Sequence, residues 1–181
     1  MTRSNTSTAL IFTVMLALAA APGLAQISQA TVAVDGMSCP FCAYGVEKRL
    51  SRVPGVESVD IDMADGVATV TAAEGASIEV SRIPQAVRKA GFTPGAIELV
   101  ALGRVEARAN DGWRFDLGAE DGQELLLVNL TVELAVRVAA LAGSATRVRV
   151  TGGVHFHSDF PPGVEPSAID EVEDEGVEEA E

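Results

Sequence analysis

Residues 36–45 read GMSCPFCAYG and hold both cysteines of the chain, Cys39 and Cys42. Two thiols at this spacing can close a disulfide, cycle as a redox centre, or offer two soft ligands to a metal ion. The only histidines, His155 and His157, stand in HFHSDFPP. Alternation along a strand puts both on one face, and with Asp159 they form a candidate second metal site, since imidazole suits Cu(II) and Zn(II). Spacing fixes no third ligand, so the preferred account of this stretch is a strand end with two exposed polar residues and a proline turn after it. The chain shows no nucleophile elbow, no phosphate-cradling glycine loop and no carboxylate pair in a recognisable setting. It is expected not to be an enzyme.

What the thiols do depends on where the chain works. Met1–Thr8 is polar with one base, Arg3, and the run Ala9–Ala21 that follows is almost wholly apolar. Small residues at Gly23 and Ala25 then suit a signal peptidase, so 1–25 reads as a signal peptide, with a cut after Ala30 as second choice. The apolar run is shorter than the roughly 20 residues of a transmembrane helix. No stable membrane insertion is expected after cleavage, and the mature chain is expected in the periplasm or secreted. Net charge is −13, and residues 170–181, DEVEDEGVEEAE, contain no base. Such a block is expected to stay solvated, giving a disordered acidic tail over 169–181. Without a basic patch there is no footprint for nucleic acid.

From Ala30 the hydrophobic period changes in a regular order. ATVAVDG alternates as a half-buried strand, and from Phe41 or Cys42 the positions Val46, Leu50 and Val53 recur at helical spacing until Pro54 and Gly55. VESVDIDM and VATVTAA form a hairpin about ADG. Ile83, Val87 and Ala90 mark a second helix closed by Gly91, and AIELV is a last strand. The order is βαββαβ, a ferredoxin-like sandwich of the α+β class over residues 30–100.

This unit resembles the heavy-metal-associated domain family, which includes periplasmic mercury-binding proteins and copper chaperones. GMSCPFC matches the family's glycine–methionine–x–cysteine–x–x–cysteine loop, VEKRLSRVPGVESVDIDM follows at the family's spacing, and RKAGF stands where the family has a glycine–aromatic pair. The resemblance implies that Cys39 and Cys42 bind a thiophilic ion, while Met37 and Phe92 pack the loop onto the core. It also implies Cu(I) or Hg(II) over Zn(II), because Ser38 stands where several zinc- and cadmium-selective members carry an acid. The implied partner is a metal donor or acceptor such as a metal transporter. Physical chemistry agrees: thiolates are soft ligands, and two of them on an exposed loop leave an ion open to exchange. A closed structural zinc site would take four ligands. Two other readings stay open, an exported thiol–disulfide oxidoreductase using the same pair and an interaction module whose metal loop is vestigial.

Residues 101–168 read as a second, β-rich domain. Strands flank the turn signal at Asn110–Gly112, with Trp113, Phe115 and Leu117 alternating. QELLLVNL is a third strand, Thr131 caps a helix ending at Gly143, and TRVRVTGGVHF is a fourth strand. A small barrel of the oligonucleotide/oligosaccharide-binding type, with a last strand near Ile169–Val172, fits this order. An open α+β sheet fits nearly as well, and one helix over Glu124–Ala142 is a further alternative.

Overall fold

The protein is represented by a computed structural model that describes residues 26–109, 112–118 and 123–172. The expected signal peptide (1–25), Asn110 and Asp111 of the expected turn, and residues 173–181 of the expected tail lie outside the described residues.

The first half follows the order β1 (Gln26–Asp35), α1 (Pro40–Leu50), β2 (Val56–Asp62), β3 (Val67–Ala72), a 3-10 turn (Val80–Arg82), α2 (Ile83–Lys89) and β4 (Thr93–Arg108). The strands pair antiparallel in the order β2-β3-β1-β4. The two helices pack on each other, α1 against β2 and β3 and α2 against β4. Val46, Leu50, Ile83 and Val87 are buried between helices and sheet with Val32, Val34, Val70 and Leu99. β1 starts four residues before the alternation beginning at Ala30. Ile27 is fully buried although it is out of phase with Ala30, Val32 and Val34, because the register with β4 shifts between Ile27 and Gln29. A bulge of this kind inserts one residue and flips the inward parity.

The second half continues without a break. β4 runs for 16 residues through the boundary expected at 100, with Ile97, Leu99, Ala101 and Val105 inward along its whole length. β5 (Gly112–Asp116), β6 (Glu124–Leu127), α3 (Val132–Leu141), β7 (Arg147–His157) and β8 (Phe160–Val172) follow. β4 pairs with β5, β5 with β6, β6 in parallel with β8, β8 with β7, and β7 again with β4. Five strands thus return to their starting strand, inside an α+β molecule with one large eight-stranded sheet. Thr131 caps α3 by accepting the Leu134 N–H at 3.3 Å, and Val138 and Leu141 enter the core beside β4. The single helix over 124–142 is therefore not formed: Leu125 and Leu127 are buried at alternate positions of β6.

Two expectations about the C-terminus are corrected. The chain turns at Ser158 and Asp159, and the prolines expected in a turn lie instead within β8, which runs through Pro161, Pro162 and Pro166. Register shifts fall between His155 and His157 and between Thr151 and Gly152, opposite those prolines, where a missing N–H breaks no ladder bond. The acidic tail does not begin at 169. Ile169 is buried opposite Val150, and Asp170 lies opposite Arg149, a cross-strand pair of opposite charge.

Gly103 marks the point where β4 passes from β1 to β5. A Cβ there would lie 2.4 Å from the Asp116 carbonyl oxygen and 2.9 Å from the Phe115 ring. Gly103→Ala is expected to cost about 3 kcal/mol in urea unfolding, as overpacking against backbone does. Because the core is one cluster spanning both halves, the loss should appear as a shift of a single transition.

Candidate metal centre

The cysteine loop leaves β1 at Asp35, which pairs with Thr93 at the start of β4. Gly36 takes φ +84°, a left-handed turn that glycine permits without strain, and its carbonyl accepts the Ser38 N–H at 2.9 Å. The turn drops the Met37 side chain into the core, where it is 4% exposed. Ser38 stays on the surface. Cys39 is extended (φ −138°, ψ 151°) and is the N-cap of α1, followed by Pro40 in the first turn, where a missing N–H costs nothing.

Both sulfurs meet at this helix start. Cys39 Sγ accepts the Cys42 backbone N–H at 3.2 Å, taking the role a serine or aspartate oxygen plays in an ordinary cap. Cys39 and Cys42 are half-exposed, their Cα atoms are 5.1 Å apart, and they are joined by a disulfide. The unpaired N–H groups and the positive end of the helix favour negative charge on sulfur when the bond is open. Chemically the arrangement can do two things: exchange electrons as dithiol and disulfide, or present two adjacent thiolates to a soft ion.

Around the pair the side chains divide sharply. Phe92 is half-buried, packed on the core, with its N–H on the Val87 carbonyl at 3.2 Å. Phe41, read from periodicity as a candidate for the inner helical face, instead points outward at 90% exposure, while Cys42 packs against the core. Helical spacing from Val46 and Leu50 runs back to position 42, and Phe41 is one step out of that phase. Tyr44 is also 60% exposed, with the Lys48 ammonium 5.9 Å from its ring centre. Sequence reasoning missed this exposed aromatic pair beside the thiols; the phase of Phe41 was the signal available.

The histidine stretch does not assemble as a ligand set. Among the described residues no group of three or more His, Cys, Asp and Glu side chains is placed to hold a metal. His155, His157 and Asp159 are all exposed near the β7–β8 turn. His155 Nε2 instead faces Glu165 Oε2 at 3.2 Å, and Asn129 donates to the same oxygen at 2.9 Å. The Asn129 hydrogen bond, then the one to His155, hold the Glu165 carboxyl below its ordinary range.

Comparison with known proteins bears on the first half. The family model of the heavy-metal-associated domain matches residues 31–93. The chain is 38% identical over 77 residues to the mercuric transport protein periplasmic component of Shigella flexneri, covering 42% of this chain and 84% of that protein. With its counterpart in Pseudomonas fluorescens it shares 34% identity over 83 residues, 46% of this chain and 90% of that one. It is also 34% identical over 68 residues to the copper-exporting P-type ATPase of Mycobacterium tuberculosis, covering 38% of this chain but only 8% of the ATPase. Among solved structures, the CopZ metallochaperone aligns at 31% identity over 38% of this chain and 100% of its own, with a TM-score of 0.35. Oxidized MerP from Ralstonia metallidurans CH34 aligns at 31% over 39% and 94%, with a TM-score of 0.34. The chain belongs to the heavy-metal-associated domain family, and its matching segment is the half that carries the cysteine loop.

Met37 is the one loop side chain fixed in the core, so Met37→Ala should leave a cavity costing about 3 kcal/mol. The check is urea unfolding of the oxidised protein, in which both cysteines remain joined and only loop packing differs.

Proposed function

We propose that this protein binds a soft heavy-metal ion, Cu(I) or Hg(II), through Cys39 and Cys42 and passes it on by thiolate exchange. The carrying observation is the placement of both sulfurs at the exposed N-terminus of α1, above a buried Met37. The disulfide must first take up two electrons from a thiol reductant. Each thiol then loses its proton as it binds the ion. With two protein ligands the ion stays open to an incoming thiolate, which suits transfer better than storage. Zn(II), which prefers four closed ligands, fits less well. We read the protein as a carrier and not an enzyme.

The names of the relatives support the surrounding claims. Two are periplasmic components of mercuric transport and one is a copper-exporting ATPase, which favours an exported protein with a metal transporter as donor or acceptor. A cut after Ala25 keeps all of the described β1 in the mature chain. A cut after Ala30 would remove the buried Ile27. Among the described residues no helix is long and apolar enough to cross a membrane. For residues 101–168 the strand circuit β4-β5-β6-β8-β7-β4, with a helix between the third and fourth strands, supports an oligonucleotide/oligosaccharide-binding-type barrel. Its ligand need not be nucleic acid. Arg114 is paired with Glu106 and Glu124, so this barrel strand offers no unpaired cation to a phosphate chain.

A second reading, an exported thiol–disulfide oxidoreductase, draws on the disulfide itself and on Pro40 between the cysteines. One experiment separates the two. The reduced chain from Gln26 onward is titrated with Cu(I), Hg(II) and Zn(II) against competing chelators, beside Cys39→Ser/Cys42→Ser. Tight one-to-one binding of a soft ion, weakened more than about a hundredfold in the double variant, is expected. Absence of binding by the reduced protein, with turnover of a disulfide substrate, would replace the carrier by the oxidoreductase. In the same titration His155→Ala/His157→Ala should keep full stoichiometry, since the structure gives those side chains no common site.

A further inference from the structure

The 13 bases of the chain are outnumbered two to one by its 26 acids, yet five of them gather in one place. Between α1 and α2 lie two hollows of about 320 and 350 Å³. Lys48, Arg49, Arg52, Arg82 and Lys89 wall them, and no carboxylate is among the lining residues. Arg49, Arg52 and Lys89 line both, so the two hollows form one elongated groove. Arg82 borders one hollow alone and Lys48 the other. These bases come from two distant segments, 48–52 and 82–89, that meet where α1 packs on α2, so neither announces a basic patch in the sequence.

Local causes account for part of this gathering. Lys48, Arg49 and Lys89 stand in the last turns of their helices, where the dipole favours cations. Lys48 also lies over the Tyr44 ring, and Arg82 pairs with Glu79 at 2.6 Å. Arg52, however, lies beyond the end of α1, and Arg82 stands at the start of α2, where the dipole opposes a cation. Among the described residues Arg49, Arg52 and Lys89 have no ion-pair partner. Uncompensated cations along one groove repel each other and raise a positive potential there, which draws in an anion. A carboxylate would bring a single charge. A phosphate brings up to two, with three strong acceptor oxygens that suit guanidinium forks and an ammonium. Two linked hollows give room for more than one such group. No aromatic side chain is among the lining residues, so the stacking platform of a single-stranded nucleic-acid site is missing.

We propose that the groove between α1 and α2 is a binding site for a phosphate-class anion, held by Arg49, Arg52 and Lys89. Arg82 and Lys48 extend the site at its two ends. A free polyphosphate and the phosphate headgroups of a lipid surface share this chemistry. Arg49 follows Cys42 by seven residues, about 10 Å along the helix. The groove and the sulfurs can therefore be occupied together. Salt weakens the contact, since these charges are at the surface. The inference does not depend on which metal, if any, Cys39 and Cys42 bind.

The test titrates inorganic triphosphate into the oxidised, metal-free chain from Gln26 to Glu181 at low ionic strength, followed by backbone amide NMR. Saturable shifts are expected in residues 45–53 and 82–90, which line the groove. Arg49→Gln/Arg52→Gln keeps good helix formers and should weaken binding more than about tenfold. Arg108→Gln/Arg137→Gln removes two exposed bases outside the groove and should leave binding unchanged. Shifts spread over all the bases, or equal weakening by the two variants, would overturn the proposal in favour of diffuse attraction. A hexaglutamate peptide that binds tighter than triphosphate would overturn it in favour of an acidic protein partner. Sedimentation with phosphatidylglycerol vesicles, beside phosphatidylcholine vesicles, identifies the source of the anion. Retention on the first that Arg49→Gln/Arg52→Gln abolishes points to headgroups, and triphosphate binding without retention points to a free anion. Absence of both sinks the proposal. Metal titration of the same variants separates this outcome from failure of the carrier reading, because they keep both cysteines.

Discussion

Strand β4 holds three partners at once: β1 along residues 93–102, β7 along 98–103, and β5 along 104–108. It is the last strand of the sandwich and the first of the five-strand circuit, so neither half can move without breaking a ladder they share. A second fastening lies beside it. Gln123, just before β6, accepts the Val80 N–H at 3.3 Å and donates to the Ile78 carbonyl at 3.1 Å. The loop it grips also receives the start of β1 through Ser77. Domains joined by a linker and a small polar interface are expected to move. Here the joint is a continuous strand over a continuous core.

The cysteine loop hangs from the same strand. Asp35, the last residue of β1, pairs with Thr93, the first of β4, so the loop leaves the sheet where β4 begins. Met37 anchors it below and the α1 cap shapes it above, which fixes the direction of the sulfurs without enclosing them. Burial would strip water from a thiolate and oppose its charge, whereas the helix start supplies an N–H donor while leaving the sulfur accessible. Anchor and exposure are thus assigned to different residues. That division is why a two-sulfur loop can be both ordered and open.

Much of the first half was legible because its signals are local: alternation in β1 and β3, helical spacing from Cys42 to Val53, and glycines at Gly36, Gly66 and Gly91 that all take positive φ. The spacing of the cysteines announced the loop, and the burial of Met37 was expected from the family resemblance. What escaped depends on long-range pairing. Ile27 is hidden by a bulge that only its register with β4 reveals. The prolines of β8 look like a turn until the shifts in β7 opposite them are known. Asp170 reads as tail until Arg149 is placed across from it. His155 and His157 are two residues apart on β7, but His155 faces Glu165 and no set of three ligands gathers around them among the described residues. A two-residue period predicts faces only while the register is unbroken.

The position of β4 also bears on what the second half can contribute to the proposed carrier. A closed circuit of strands leaves few free edges, so its surface meets a partner through side chains and not by strand addition. Because that surface is rigidly joined to the cysteine loop, a partner that recognises it meets the sulfurs at one fixed orientation. Ligand exchange between two exposed loops needs just such alignment, since each thiolate must approach along an open coordination position of the ion. Flexible tethering would supply proximity without direction. A partner bound to the second half would therefore meet the thiols at an angle set by the strand the two halves share.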